Sequence, residues 1–276
     1  MIAGASETPA YPVLNDDFSI KAGTDNTVVY KNFSEESALT ANIATPQDWT
    51  PADKRTCLIM WHGGGWQDGN ISQYAAAATY FSGKGAVVIR PFYRVSARFA
   101  GATPVDSAKD ALSMAAWVLR HADRLGIDTN KIVCCGSSAG GHLAAVTVMS
   151  EGCDDEAPGI ESFRPAAFLL NFPVLDLSIV PYAVNRINDE KRIAGVSPVK
   201  HIKNGLAPMV IYTGTADEIV QEGWARDFKT AYESFNNRCT IVLFPGQPHS
   251  FYNWEPYTGR INSMMYRVLK DLKIMK

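Results

Sequence analysis

The chain has 276 residues, 46% of them hydrophobic, which is enough for one α/β domain with a sizeable core, because single domains of this class often exceed the usual length per domain. Its 26 Lys and Arg against 28 Asp and Glu leave a formal net charge of −2, so there is no global positive field for a phosphate backbone or an anionic membrane, and nucleic acid is not expected as a partner. Five cysteines, two adjacent (Cys134, Cys135) and three scattered (Cys57, Cys153, Cys239), suggest no disulfide framework, and without Cys-x-x-Cys or His-Glu-x-x-His spacing no metal site is expected.

Residues 1–51 are rich in Ser, Thr, Asn, Asp and Pro and read as a strand-rich N-terminal extension. Two short alternating pieces, 26–31 and 38–43, are expected to pair as a hairpin. No basic segment followed by a leader-length apolar run opens the chain, and no apolar stretch approaches the roughly 20 residues of a membrane span. The expectation is a cytoplasmic protein without a membrane span, or an exported one already freed of its leader.

From Thr56 the texture changes. Cys57-Leu58-Ile59-Met60-Trp61 is a compact apolar run that ends in His62-Gly63-Gly64-Gly65, a buried strand feeding a glycine loop. Residues 85–89 repeat the strand pattern. Between 106 and 122, Ala108, Ala111, Leu112, Ala115, Leu119 and Ala122 recur at helical spacing. Residues 131–135 form a third apolar strand, followed by Gly136-Ser137-Ser138-Ala139-Gly140-Gly141 and a helix-like run over 142–149. Strands are expected at 166–170, 209–212 and 240–244, with a helix around 224–235. Near-continuous apolar strands alternating with helices indicate a mostly parallel sheet covered on both faces, an α/β fold read as one domain over 1–276. In such sheets chemistry is sought just beyond the carboxyl ends of strands.

Gly136-Ser137-Ser138-Ala139-Gly140 is a G-x-S-x-G match between a strand and a helix, the context a nucleophile elbow requires. Small neighbours let the chain close a strained turn and let a substrate carbonyl approach. Ser137 is the rival hydroxyl, but only Ser138 lies midway between the glycines. The alternative is a βα turn whose small residues merely allow close helix packing.

His62-Gly63-Gly64-Gly65-Trp66 is similar to the oxyanion loops of lipases and esterases. Fixed backbone N–H groups aimed at a developing oxyanion lower an acyl-transfer barrier by about 3–4 kcal/mol per donor. Gly64, Gly65 and Ala139 are the candidate donors, His62 a brace for the loop, and Trp66 a candidate substrate contact. A plain Gly-rich turn is the alternative; a phosphate loop would need a following Lys-Ser or Lys-Thr.

The elbow's chain order is nucleophile, acid, histidine. His62 and His121 precede Ser138, His142 lies one turn into the following helix, and His201 has no acid in the expected place. His249, in a Gly- and Pro-bearing loop after the last strand, remains as general base. Asp217, in Gly214-Thr215-Ala216-Asp217-Glu218 after the preceding strand, is the acid; Glu218 and Asp176 are its rivals.

Together with Tyr93-Arg94, Asp110-Ala111, Ser197-Pro198 and His249-Ser250-Phe251, these motifs resemble the α/β-hydrolase superfamily, particularly the hormone-sensitive-lipase-like esterases and the small carbohydrate acetyl-esterase and feruloyl-esterase group, over residues 56–254. The resemblance implies ester hydrolysis through an acyl-enzyme with no cofactor, on a small-molecule ester. Departures from the lipase-like branch occur at Phe92-Tyr93-Arg94-Val95 and Asp217-Glu218-Ile219. The N-terminal stretch reads as strands rather than a helical cap, and the segment between Asp176 and Pro198 has room for one or two helical turns of lid. A minimal cap implies an open site suited to a short acyl chain on a larger alcohol such as a sugar. A dipeptidyl or acylaminoacyl peptidase and a non-catalytic ligand-binding protein on the same scaffold are the alternatives.

Overall fold

A computed structural model describes residues 12–34 and 36–276; residues 1–11 of the expected N-terminal extension lie outside the described residues. The rest of the extension supplies strands β1 (Val13–Leu14), β2 (Asp25–Asn32) and β3 (Ala38–Ala44), which pair antiparallel in sequence. The expected hairpin is therefore present as β2 and β3. Along it Val28, Tyr30, Leu39, Ala41 and Ile43 are buried, the alternation of a half-covered antiparallel sheet.

The chain then alternates: β4 (Arg55–Trp61), α1 (Ala75–Ser82), β5 (Val87–Pro91), α2 (Pro104–Arg120), β6 (Ile127–Ser137), α3 (Ala139–Val146), β7 (Ala167–Asn171), α4 (Pro181–Ile187), α5 (Glu190–Gly195), β8 (Met209–Gly214), α6 (Glu222–Ser234), β9 (Cys239–Phe244) and α7 (Tyr257–Asp271). The nine strands form one sheet in the order β1-β2-β3-β5-β4-β6-β7-β8-β9, parallel from β5 through β9. The chain steps outward from β4 to β5 and then crosses back to β6 on the other side of β4. This reversal puts the carboxyl ends of β4 and β6 side by side, Trp61 opposite Gly136, at the point where a doubly covered sheet opens a crevice.

The two sheet faces bury separate cores. Ile59, Trp61, Phe168 and Leu170 pack with α2 and α3, while Leu58, Met60, Leu169 and Tyr212 pack with α1 and α7. Helix α2 begins two residues before the expected run, because Pro104 suits the first helical position and Thr103 forms a capping box with Asp106. Helices α1 and α7 were not among the expected elements. In α7 the buried Ile261, Met265 and Leu269 recur every four residues, a helical period present in the sequence. The segment after Asp176 is more helical than expected: Pro181 opens α4, left-handed Asn188 ends it, and the Asp189 carboxylate caps α5 by accepting from the Arg192 N–H.

A buried ionic cluster ties the N-terminal strands to this core. Lys31 of β2 donates to Asp110 of α2 at 2.7 Å and to Glu156 at 2.5 Å, and Arg94 meets both carboxylates, at 2.8 and 3.0 Å. No helix among the described residues is long and apolar enough to cross a membrane. All five cysteines are free and buried.

Candidate active site

Strand β6 ends at Ser137 and α3 starts at Ala139, so Ser138 alone makes the turn. Its backbone, φ 55° and ψ −118°, is a conformation that a residue with a side chain rarely adopts. Glycine is required two residues to either side: a Cβ on Gly136 would lie 2.1 Å from Gly140 O, and one on Gly140 2.1 Å from Trp61 O. The turn is held by the Ser138 N–H on Asn171 O (2.9 Å) and the His142 N–H on Ser138 O (3.1 Å). Ser138 consequently lines a cleft, while Ser137 points inward, fully buried, hydrogen-bonded to Tyr74 Oη (2.7 Å) and accepting from Asn171 Nδ2 (3.2 Å).

Parallel pairing of β8 with β9, Gly214 opposite Phe244, brings the loops after these strands beside the turn. His249 Nε2 is 3.0 Å from Ser138 Oγ and Nδ1 is 2.8 Å from Asp217 Oδ2. The other carboxylate oxygen of Asp217 accepts the N–H groups of Ile219 (3.0 Å) and Val220 (2.8 Å). The Phe172 ring packs edge-on to the imidazole, centroids 4.7 Å apart. Glu218 is exposed, and Asp176 caps a short helical turn by accepting from the Ser178 N–H. Serine, imidazole and carboxylate thus form a continuous hydrogen-bonded line, with the first at the cleft and the last shielded from water.

The glycine loop after β4 faces the same point. Gly64 (φ 121°) and Gly65 (φ 61°) take backbone conformations that disfavour side chains, and a Cβ on Gly64 would lie 2.0 Å from Asp68 O. Among the described residues the N–H groups of Gly64, Gly65 and Ala139 have no internal acceptor, whereas that of Gly63 donates to Gln73 Oε1 at 2.7 Å. His62 braces the loop: its Nδ1–H donates to Gly63 O at 2.7 Å and its ring stacks on Tyr93, whose hydroxyl donates to His62 O at 2.8 Å. Burial lowers the His62 pKa to about 4, so this imidazole is a neutral strut.

Trp66 does not line the cleft, which corrects the expectation of a substrate contact. At φ 59° the chain turns its indole inward, where it is 3% exposed and donates to His142 Nδ1 at 3.2 Å. His142 in turn donates from Nε2 to Val196 O at 2.7 Å. The positive φ, not the position after three glycines, sets the direction of the side chain.

The cleft has a volume of about 820 Å³. Besides the glycine loop, Ser138, Phe172 and His249, its wall mixes amide and hydroxyl side chains, Gln67, Asn70, Ser72, Gln73, Asn253 and Thr258 among them, with the apolar Ala76 and the exposed Ile219. Among the described residues, Glu255 is its one acidic lining residue and no Lys or Arg lines it. Gln73 and Asn253 escaped the sequence reading of roles, since no motif marks a glutamine 10 residues after the first loop glycine. No residue of α4 or α5 lines the cleft.

Residues 42–232 match the BD-FAE family model. An AB hydrolase superfamily protein of Schizosaccharomyces pombe is 32% identical over 172 residues, 61% of this chain and 46% of that protein. Esterase LipC of Mycobacterium tuberculosis is 25% identical over 225 residues, 73% of this chain and 54% of that protein. The chain spans about half the length of these curated relatives. The apo form of Thermogutta terrifontis esterase 2 superposes with a TM-score of 0.84 at 35% identity, covering 93% of this chain and 98% of that one. The mostly parallel sheet, the crevice at its reversal point and the match over residues 42–232 agree: the chain belongs to the BD-FAE family of α/β-hydrolases.

Proposed function

We propose that this protein is a serine carboxylesterase that hydrolyses short-chain acyl esters, acetyl esters of carbohydrates among them, with Ser138 as nucleophile, His249 as general base and acid, and Asp217 as the carboxylate that orients it. The observation that carries the reading is the Ser138–His249–Asp217 line, 3.0 and 2.8 Å long, opening on a cleft edged by free backbone N–H groups. Nitrogen Nε2 accepts the Ser138 proton as Oγ attacks the ester carbonyl, and Asp217 stabilises the resulting imidazolium without taking its proton. The N–H groups of Gly64, Gly65 and Ala139 receive the oxyanion. The C–O bond to the alcohol then breaks, with the His249 proton going to the leaving oxygen. Water repeats the sequence on the acyl-enzyme and returns free Ser138 and a carboxylic acid.

Thermogutta terrifontis esterase 2 has been solved phosphorylated by paraoxon and with propionate or butyrate bound. Its likeness to this chain supports both a reactive nucleophile and a short acyl group. The amide and hydroxyl side chains of Gln67, Asn70, Ser72, Gln73 and Asn253 in the cleft wall support a polyhydroxylated alcohol, because each buried hydroxyl of such a group needs a partner to replace water.

The test is the set of initial rates on nitrophenyl esters from acetate to palmitate and on acetylated xylo-oligosaccharides, with Ser138→Ala as control. Activity of wild type alone, highest on acetate or butyrate, is expected, and release of acetate from the oligosaccharide assigns the carbohydrate branch. Activity equal in both proteins, or no activity on any of these esters, would sink the reading.

A further inference from the structure

One short turn touches three of the four loops of the candidate site, the glycine loop, the elbow and the histidine loop. Residues Ile71–Tyr74 form a 3-10 helix between β4 and α1, capped by Asn70, whose side-chain Oδ1 accepts the Ser72 N–H. From this turn Gln73 Oε1 accepts the Gly63 N–H at 2.7 Å, and Nε2 donates to Asn253 Oδ1 at 2.9 Å across 180 residues of sequence. The next residue, Tyr74, is hydrogen-bonded to Ser137 Oγ, beside the nucleophile. Asn253 ends the turn Phe251–Asn253 and its N–H donates to Ser250 O, next to His249.

The orientation of the Gln73 amide is determined by its partners. A backbone N–H can only donate, so the atom facing Gly63 is the oxygen, and the opposite end of the planar amide must then donate. The Gly63 N–H also cannot serve the oxyanion, because it is engaged, while those of Gly64 and Gly65 have no internal acceptor among the described residues. Gly63 sits so close to the elbow that a Cβ there would be 3.1 Å from Ser137 O. Any rotation of the Gly63 peptide would therefore redirect the two donors that follow it.

We propose that Gln73, through Asn253, is a positioning residue that ties the oxyanion loop to the histidine loop, holding the oxyanion donors and the general base at a set separation through both halves of the reaction. The proposal rests on the esterase reading. It asks nothing of Gln73 toward the substrate itself. Misplacing a catalytic group by about 1 Å can cost on the order of a hundredfold in the rate of chemistry, and Gln73 is asked to hold no part of the substrate, so the loss should fall on kcat.

The experiment uses the full chain with Gln73→Ala, Gln73→Glu, Asn253→Ala and the double variant Gln73→Ala/Asn253→Ala, assayed on 4-nitrophenyl acetate, whose alcohol has no hydroxyl for the cleft wall to grip. Gln73→Ala is expected to lose on the order of tenfold to a hundredfold in kcat, with KM within about twofold and an unchanged thermal midpoint. Gln73→Glu keeps the acceptor for Gly63, and the Asn253 amide can turn its Nδ2 toward the new carboxylate to restore the link, so most of that loss should be recovered. The double variant should be no slower than Gln73→Ala, because the two residues act as one link. A second readout is independent of turnover: amide hydrogen exchange at Gly63 should accelerate in Asn253→Ala. Unchanged kcat in Gln73→Ala, multiplicative losses in the double variant, a change confined to KM, or unaltered Gly63 exchange would each overturn the proposal. If wild type hydrolyses no ester, the esterase reading falls, and the exchange result alone decides whether the link exists.

Discussion

Oδ2 of Asp217 stands 2.8 Å from Nδ1 of His249 while Oδ1 of the same carboxylate is held by the N–H groups of Ile219 and Val220. This division of labour makes Asp217→Asn a sharp test. The two backbone donors require an oxygen, so the new amide must turn its NH2 toward His249. The imidazole is then forced into the tautomer that carries its proton on Nε2, facing Ser138, where it cannot act as a base. The expected loss is about 10⁴-fold in kcat with the fold retained, measured by stopped-time hydrolysis of 4-nitrophenyl acetate alongside circular dichroism. Full activity in Asp217→Asn would transfer the role to another acid.

The glycine loop offers a second test. At Gly64 a methyl group meets Asp68 O at 2.0 Å, on a backbone whose φ of 121° already disfavours side chains. Gly64→Ala must move the peptide that carries one candidate oxyanion donor. Loss of one such donor corresponds to roughly 10²–10³ in kcat, and the substitution should leave the far-UV spectrum and the Ser138–His249 pair intact. A fall in KM-dependent terms only would place the oxyanion donors elsewhere.

Asp110 is fully buried between Lys31 and Arg94, accepting from Lys31 Nζ, from the Arg94 guanidinium and from the Arg94 backbone N–H. Asp110→Ala leaves two buried cations sharing Glu156. Breaking a buried ion pair on one side costs about 3–5 kcal/mol, which for a domain of this size lowers the thermal midpoint by roughly 10 °C. Calorimetry on the purified variant reads this directly. A shift of a degree or two would mean that water enters the cluster and compensates.

Acid stability follows from His142. Burial lowers its pKa from 6.5 to about 4, and its partners agree: Nε2 donates to Val196 O and Nδ1 accepts from Trp66, which leaves no place for a second proton. Between those two values the unfolded chain binds more protons than the folded one. Stability that is complete above about pH 6.5 is therefore lost as pH falls toward 4, by up to about 3 kcal/mol for this histidine. His62, lowered likewise by burial, adds a loss of the same sign. Urea unfolding at pH 7 and pH 4.5 should give a steep difference in wild type and a smaller one in His142→Leu, which is less stable at pH 7 but has one fewer proton to take up.

Much of the site was legible because the signals are local. An elbow needs small residues at set distances from its serine, a backbone oxyanion loop needs consecutive glycines, and a buried parallel strand needs an unbroken apolar run; each requirement is met within a few residues of chain. The candidate histidine and the candidate acid were placed by chain order after a strand, since parallel strands put successive loops at one end of the sheet. The missed α7 had the same kind of signal in Ile261, Met265 and Leu269, but its alternation with Asn262, Arg267 and Lys270 obscured it beside the stronger strand patterns.

By itself, then, the sequence determined the α/β alternation, the turn at Ser138, the glycine loop and the candidates Asp217 and His249, all of which depend on residue type and spacing over short range. Tertiary structure alone decided that Trp66 turns into the core toward His142, that Lys31 closes a charge cluster with Asp110, and that Gln73 reaches Asn253. Those relationships join residues 76, 79 and 180 positions apart. They arise from the order in which strands assemble into the sheet and from the direction in which a backbone with positive φ aims its side chain, and neither quantity is carried by the local pattern of residues.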